Sequence, residues 1–362
     1  MLAVRIQRAG GPDVLIPEEL ELPEIKMYDV LIDVEWCGAN RIDLDQRIEG
    51  KKCSNGVAYC PGLECSGRII AVGKYVSQHK PSGRVCAILD GGGYADKVVV
   101  PANQVFEVPE RISLKEAACF PEAACTIWQA FSKVKIERRK TILVHEACGY
   151  YAVFAMQMAR LKGVRVFVAT ENDENNNFYM ELGAYKCINW NDDDFLTQVQ
   201  KLTSDRGGIE IILDSRGDHL PQDLEALCFG GVVVFLDMHG KTLVDVDIQC
   251  LMAKNAQIEV VDRAQNLDRK VVLGAKLYMQ DAINTGLVKL HPGKCFQLSE
   301  ANLAHRYMES MNIGQKMLSP LASWSPSLVP FVYKGMLAKD VKGKTLLDCQ
   351  AKGQTDKRRK LE

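Results

Sequence analysis

The sequence predicts an α/β protein in which a β-rich, barrel-like module precedes a parallel sheet covered by helices on both faces. Three observations carry this. The first third strings together short runs of β-branched residues. The middle alternates apolar strands with helices, and one apolar run, Thr141–Val144, passes through a short turn straight into a helical pattern.

In the first third, LAVRI, DVLIDVEWCG, SGRIIAVG, GRVCAIL and ADKVVV are separated by clusters of Gly, Pro and Asn, as strands joined by turns would be. From about residue 120 the rhythm changes. TILVH leads into AVFAMQMARLKG, and VRVFVAT into NNNFYMELGA. Next come IEIILD, a helix over DLEALCFGG, the strand VVVFLD and a helix around RKVVLGAKLYMQDAINTG. Near-continuous apolar strands between such helices predict a parallel sheet buried on both sides. After 290 the pattern is mixed again, with KCFQLSE and a helix over EANLAHRYMES. Beyond about 320 the periodicity fades, so residues from about 340 onward are expected to add little to the core. The last 24 residues carry eight Lys/Arg against four Asp/Glu and end in DKRRKLE, which reads as a basic tail.

With 362 residues the chain is long enough for two cores. A composition of 47% hydrophobic and 25% charged residues, at a formal net charge of -1, gives no global reason to expect a nucleic-acid or membrane partner. The start, MLAVRIQRAGG, has no apolar stretch of the kind a secretory signal needs. Apolar runs such as GGVVVFLDM fall far short of the ~20 residues that cross a bilayer. The thirteen cysteines are scattered without a C-x-x-C pair, as buried thiols in a reducing compartment would be. The expected location is cytoplasmic, with nuclear import through KRRK as the alternative.

GGPDVL, CGANRIDLDQR, PGLECSG with AVG, GGGYA, FPEAACTIWQAF, the junction at 141–158, ELGA and MNIGQKML follow one another in a familiar order. Together they resemble the medium-chain dehydrogenase/reductase superfamily in its zinc-free quinone oxidoreductase branch, over roughly residues 1–320. The resemblance implies a GroES-like β-rich catalytic domain and an inserted Rossmann-type domain. Its boundaries are 1–119 for the first part, 120–288 for the Rossmann-like domain, 289–320 for the return and 321–362 for a C-terminal extension. It further implies NADPH in the cleft, a quinone or α,β-unsaturated carbonyl as substrate, and a homodimer joined through the Rossmann-like domains.

Site residues follow from the same resemblance. Zinc-dependent relatives place Cys and His where this chain has Asn40 and Leu63, so no metal is expected. The glycine-rich turn admits a pyrophosphate to bare backbone. This chain has Ala147 at the first glycine, Tyr150 at the second and Ala152 at the third, and keeps only Gly149 in the turn. A tyrosine at 150 obstructs the phosphates unless its ring turns to solvent. After the second strand, Glu171 stands for a small residue and Glu174 or Asn175 for a phosphate-binding lysine. Carboxylates there repel a 2'-phosphate, although Asp173 and Glu174 are equally ordinary at a helix N-terminus. Trp190 takes the place of a tyrosine, Asp237 that of a glycine beside the nicotinamide, and Lys51 that of a tyrosine over the substrate. Asn40, Asp43, Glu64, Thr126 and Lys316 survive, the first three equally readable as fold determinants.

The cofactor supplies the chemistry of hydride transfer, so such an enzyme can lose polar side chains but not cofactor binding. The losses fall on the pyrophosphate, 2'-phosphate and nicotinamide contacts together. The sequence therefore favours a degenerate relative with no cofactor, kept as a binding, scaffold or regulatory protein with an unidentified protein partner. The alternatives are an active NAD(P)H-dependent quinone or enone oxidoreductase and, on the tail alone, a nucleic-acid binder.

Overall fold

The structure is a computed structural model that describes residues 1–50, 60–236, 246–284, 286–316 and 344–350. Side chains at 279–281, 284 and 311–316 are not among the described parts. Lys51, Asp237, the Lys316 side chain and the basic residues 357–360 therefore lie outside the description. The chain divides into two compact units, Met1–Glu122 with Leu290–Glu362, and Ala123–Lys289.

The first unit opens with the strands β1 (Leu2–Ile6), β2 (Leu15–Glu19) and β3 (Asp29–Gly38), followed by the helix α1 (Arg41–Glu49). Then come β4 (Glu64–Val72), β5 (Arg84–Ile88), β6 (Lys97–Pro101), β7 (Val105–Glu107) and the short helix α2 (Leu114–Ala117). The chain crosses to the second unit within α3 (Pro121–Lys133). The β1–β2 hairpin stands beside a larger sheet centred on β3, which pairs antiparallel with β4 and β6. Alternation along β3 turns Val30, Ile32 and Val34 into one core with Ile69, Val85, Val98 and Val100. Gly67 of β4 is required by contact, because a Cβ there would stand 2.0 Å from the Asp33 carbonyl oxygen. A capping box between Asn40 and Asp43 starts α1, and Gly50 at φ +67° ends it.

The second unit alternates strictly: β8 (Thr141–His145), α4 (Tyr150–Leu161), β9 (Arg165–Thr170), α5 (Asn176–Glu181) and β10 (Lys186–Asn189). It continues with α6 (Phe195–Leu202), β11 (Ile209–Asp214), α7 (Leu220–Ala226), β12 (Leu227–Phe235), α8 (Ile248–Lys254), β13 (Gln257–Val260) and α9 (Arg269–Asn284). The strand order is β10-β9-β8-β11-β12-β13, all parallel. In order of appearance this is 3-2-1-4-5-6, the doubly wound arrangement with its switch point beside β8. The segment LCFGG, expected as helix, belongs instead to β12. Its β-branched continuation GVVVF pulls the strand start back to Leu227 once β11 is there to pair with.

The return to the first unit contains β14 (Pro292–Gln297), α10 (Ala301–Lys316) and β15 (Lys344–Asp348). Here the expectation for the chain beyond about 340 fails. β15 lies between β14 and β3, with Leu346 and Leu347 fully buried. Among the described residues no helix is long and apolar enough to cross a membrane.

Candidate functional site

In a doubly wound sheet, ligands gather outside the carboxyl ends of the strands at the switch point. Here that place is the exit of β8, whose five residues are all buried. The chain leaves His145 through a single 3-10 turn, Glu146–Cys148, and enters α4 through Gly149. Gly149 has φ +57°, and a Cβ on it would meet nothing within 4 Å, so backbone conformation rather than space demands glycine. The turn is stitched to the end of β11: Ser215 Oγ donates to the Ala147 carbonyl at 3.1 Å, and the Cys148 thiol to that of Leu213 at 3.6 Å. Tyr150 is the first residue of α4 and half-buried, while Ala152, two residues on, is fully buried.

Carboxylates gather around this turn. Glu146, which sequence reasoning overlooked, is buried, and its Oε1 accepts the backbone N–H of Glu171 just past β9. Burial raises its carboxyl above the ordinary range. Hydrogen bonds from Glu171 and Asn175 oppose that rise, and the charges of Glu171 and Glu174 add to it. Glu174 is exposed in the turn Asp173–Asn175 that the Asn172 side chain caps. Among the described residues none of these three carboxylates has an ion pair with a basic side chain. The signal was present in the sequence as a charged residue inside TILVHEACG. Its role depends on β9 ending beside it.

Next to the turn, side-chain rings form a stack. Trp190, just after β10, meets His219 at 3.6 Å between ring centroids, and His219 lies parallel to His145 at 5.9 Å. His145 Nε2 pairs with Asp223 Oδ1 at 2.8 Å, both groups buried. Burial works against charge on His145, but Asp223 outweighs it and the imidazole is raised to about 9. His219 is pushed down to about 4, by burial first and then by the charge of His145. The Asp214 carboxylate is spent on the backbone N–H groups of Ser215, Arg216 and Gly217 at 2.6, 3.0 and 2.8 Å. Trp190 thus sits at the carboxyl end of the sheet, its backbone N–H bonded to the Thr170 carbonyl at 3.0 Å and its ring against His219.

Asn40 and Asp43 come together in the first unit. Both oxygens of Asp43 accept backbone N–H groups, Oδ2 from Asn40 at 2.7 Å and Oδ1 from Gly62 at 2.8 Å. Asn40 donates to Glu64 Oε1 at 3.2 Å and accepts from Lys344 Nζ at 2.5 Å. Lys344 also reaches Glu64 at 2.8 Å and Glu122 at 3.7 Å. Burial opposes its charge, but the two carboxylates win and hold the ammonium above the usual lysine range. Lys344 escaped the sequence reading because it lies in the stretch read as aperiodic. In the second unit, buried Thr126 accepts from Asn266 at 2.9 Å.

Two family models match the chain, the alcohol dehydrogenase GroES-like domain over residues 26–110 and the zinc-binding dehydrogenase over 152–273. Zinc does not fit the Asn40–Glu64 cluster, whose oxygens already hold the Lys344 ammonium. The quinone oxidoreductase of Sus scrofa is 27% identical over 310 residues, covering 84% of this chain and 93% of its own. That of Homo sapiens is 28% identical over 262 residues, covering 71% of this chain and 79% of its own. Among solved structures, the Escherichia coli quinone oxidoreductase complexed with NADPH superposes at a TM-score of 0.78 and 20% identity, covering 96% of this chain and all of the other. The human synaptic vesicle membrane protein VAT-1 homolog-like protein does so at 0.76 and 21%, covering 97% and 99%. These structural likenesses establish the shared fold.

Proposed function

Because the chain belongs to the medium-chain dehydrogenase/reductase superfamily, on its quinone oxidoreductase branch, we propose that it keeps the oxidoreductase framework but has given up the nicotinamide dinucleotide and acts as a binding or regulatory protein. The observation that carries this is Glu146, a buried carboxylate with no cation paired to it among the described residues, at the turn where the fold ordinarily receives phosphates. Tyr150 adds a side chain at the first position of α4, and Glu171 and Glu174 add charge of the same sign as a phosphate. The residues present do not fit a dinucleotide, so no hydride-transfer step is assigned to them. Each defect costs about 1–3 kcal/mol through lost charge-assisted bonds or buried like charge. Even the lower end, at three positions, is on the order of a hundredfold in affinity.

The test is a fluorescence titration with NADPH and NADH. The parent protein is expected to show no saturable binding in the micromolar range. A variant combining Glu146→Ser, Tyr150→Gly, Glu171→Gly, Glu174→Lys and Asp237→Gly is expected to regain NADPH binding, whereas Tyr150→Gly alone is not. The rival reading, a zinc-independent reductase of quinones or enones, is supported by the kinship to named quinone oxidoreductases. Micromolar NADPH affinity in the parent, or NADPH-driven quinone reduction, establishes that rival and ends the degenerate reading.

A further inference from the structure

The second unit carries a different site at the opposite, amino-terminal edge of its sheet. Three adjacent strands begin there, β9, β8 and β11, so the segments feeding them converge although they are far apart in sequence. Each brings basic residues: Arg138, Arg139 and Lys140 before β8, Arg160, Lys162 and Arg165 around the start of β9, and Arg206 before β11. Four of them, with Gly163 and Val164, line a cavity of about 560 Å³: Arg139, Arg160, Arg165 and Arg206.

The cavity is built into the backbone rather than assembled from loose side chains. Arg139 is held at φ +70°, a left-handed conformation that a branched-out L-residue enters at a cost. Its N–H donates to the Gly163 carbonyl at 3.0 Å, and the Arg165 N–H donates to that of Lys140 at 2.8 Å. These two bonds tie the lead-in of β8 to the α4–β9 turn, and so fix Arg139 relative to Arg165. The Arg165 guanidinium is further oriented over the Tyr185 ring at 5.2 Å.

Charge in the cavity is incompletely balanced. Asp205 meets Arg165 at 3.6 Å and Arg206 at 3.4 Å, and Glu210 meets Arg206 at 3.5 Å. Glu210 is also engaged by the Thr141 N–H at 2.7 Å. Arg139 and Arg160 have no ion pair among the described residues; the one hydrogen bond recorded for the Arg160 guanidinium goes to the Leu182 carbonyl at 3.5 Å. A chain with formal net charge -1 thus gathers four guanidinium groups around one hollow with two carboxylates to answer them. Guanidinium forks match phosphate oxygens two at a time, and a single phosphate would leave part of this charge unanswered. The volume lies within the roughly 300–1,000 Å³ of small-molecule pockets. We propose that this arginine-lined cavity binds a small, multiply phosphorylated ligand, at the end of the sheet away from the Gly149 turn.

Inorganic tripolyphosphate serves as the probe, in calorimetric titrations of the full chain at low and at physiological salt. Saturable one-to-one binding is expected, weakening as salt is raised. The double variant Arg139→Gln with Arg160→Gln is expected to bind at least about tenfold more weakly, because both uncompensated charges go. Arg139→Lys keeps the charge but loses the fork, and is expected to fall between the two. Lys74→Gln, an exposed lysine in the first unit, should leave affinity unchanged. No binding at millimolar tripolyphosphate overturns the proposal, as does equal binding by parent and double variant. Tight binding of a single-stranded RNA oligonucleotide that tripolyphosphate does not displace, yet that the double variant loses, overturns it in favour of a nucleic-acid surface.

Discussion

Glu64 in the first unit and Glu146 in the second are both buried, and burial raises both carboxyls above their ordinary range. Their company differs. Glu64 has the Lys344 ammonium at 2.8 Å, the Asn40 amide at 3.2 Å and the Glu122 N–H at 3.0 Å. Glu146 has the Glu171 N–H and Asn175, no cation among the described residues, and two further acids that push against its charge. The first arrangement ties α1, β4, α3 and β15 into one cluster, as a fold determinant does. The second leaves negative charge standing at a turn that in this fold ordinarily receives an anion. A buried acid with a fixed cation and one without are thus different devices, even though burial acts on both alike.

The largest expected effect comes from removing the cation. Lys344→Met leaves Glu64 and Glu122 buried without a counter-charge, and breaking such a cluster from one side costs about 3–5 kcal/mol. Urea unfolding at pH 7 measures it. Adding Glu64→Gln to that variant should recover part of the loss, since the stranded charge is then gone. A Lys344→Met protein as stable as its parent would erase the distinction between the two acids.

An intermediate effect is expected at Asp43. Its two oxygens accept the N–H groups of Asn40 and Gly62, so Asp43→Asn turns one acceptor into a donor facing a donor. The expected loss is about 1–3 kcal/mol in the same unfolding assay. No change would mean that Asp43 is free for another task, and would restore the role that the family resemblance gives it.

Why these roles were not readable in advance follows from distance along the chain. The strand TILVH matches β8 residue for residue, because an apolar run bounded by a turn signals itself locally. The candidate residues at the turn, Ala147, Gly149, Tyr150 and Ala152, came from the family resemblance rather than from that local signal. LCFGG was misread because its apolar spacing suits either helix or strand until β11 lies alongside. Lys344 and β15 were invisible, since their partners come from β3 and β14 and the five residues KTLLD carry no period of their own. Glu146 stood in plain sight, but its meaning lies in Glu171, 25 positions away.

The smallest expected effect is at Glu146. Its folded-state carboxyl lies above the unfolded value, so the folded protein holds the proton more tightly. Stability linked to such a group is present in acid and is lost as pH rises from about 4.5 through the folded-state value. Ionising Glu146 therefore weighs against folding as pH rises. Glu146→Gln keeps an oxygen for the Glu171 N–H and discards the charge. It should match the parent near pH 4 and become the more stable of the two toward pH 7.5. Other carboxylates titrate in both proteins and cancel in the difference, so paired urea unfolding curves across that range isolate the effect. If Glu146→Gln is instead less stable than the parent at pH 7.5, the Glu146 charge has found a stabilising partner. The carboxylate would then belong with Glu64 as a fold determinant, and repulsion at the turn could no longer account for a lost dinucleotide.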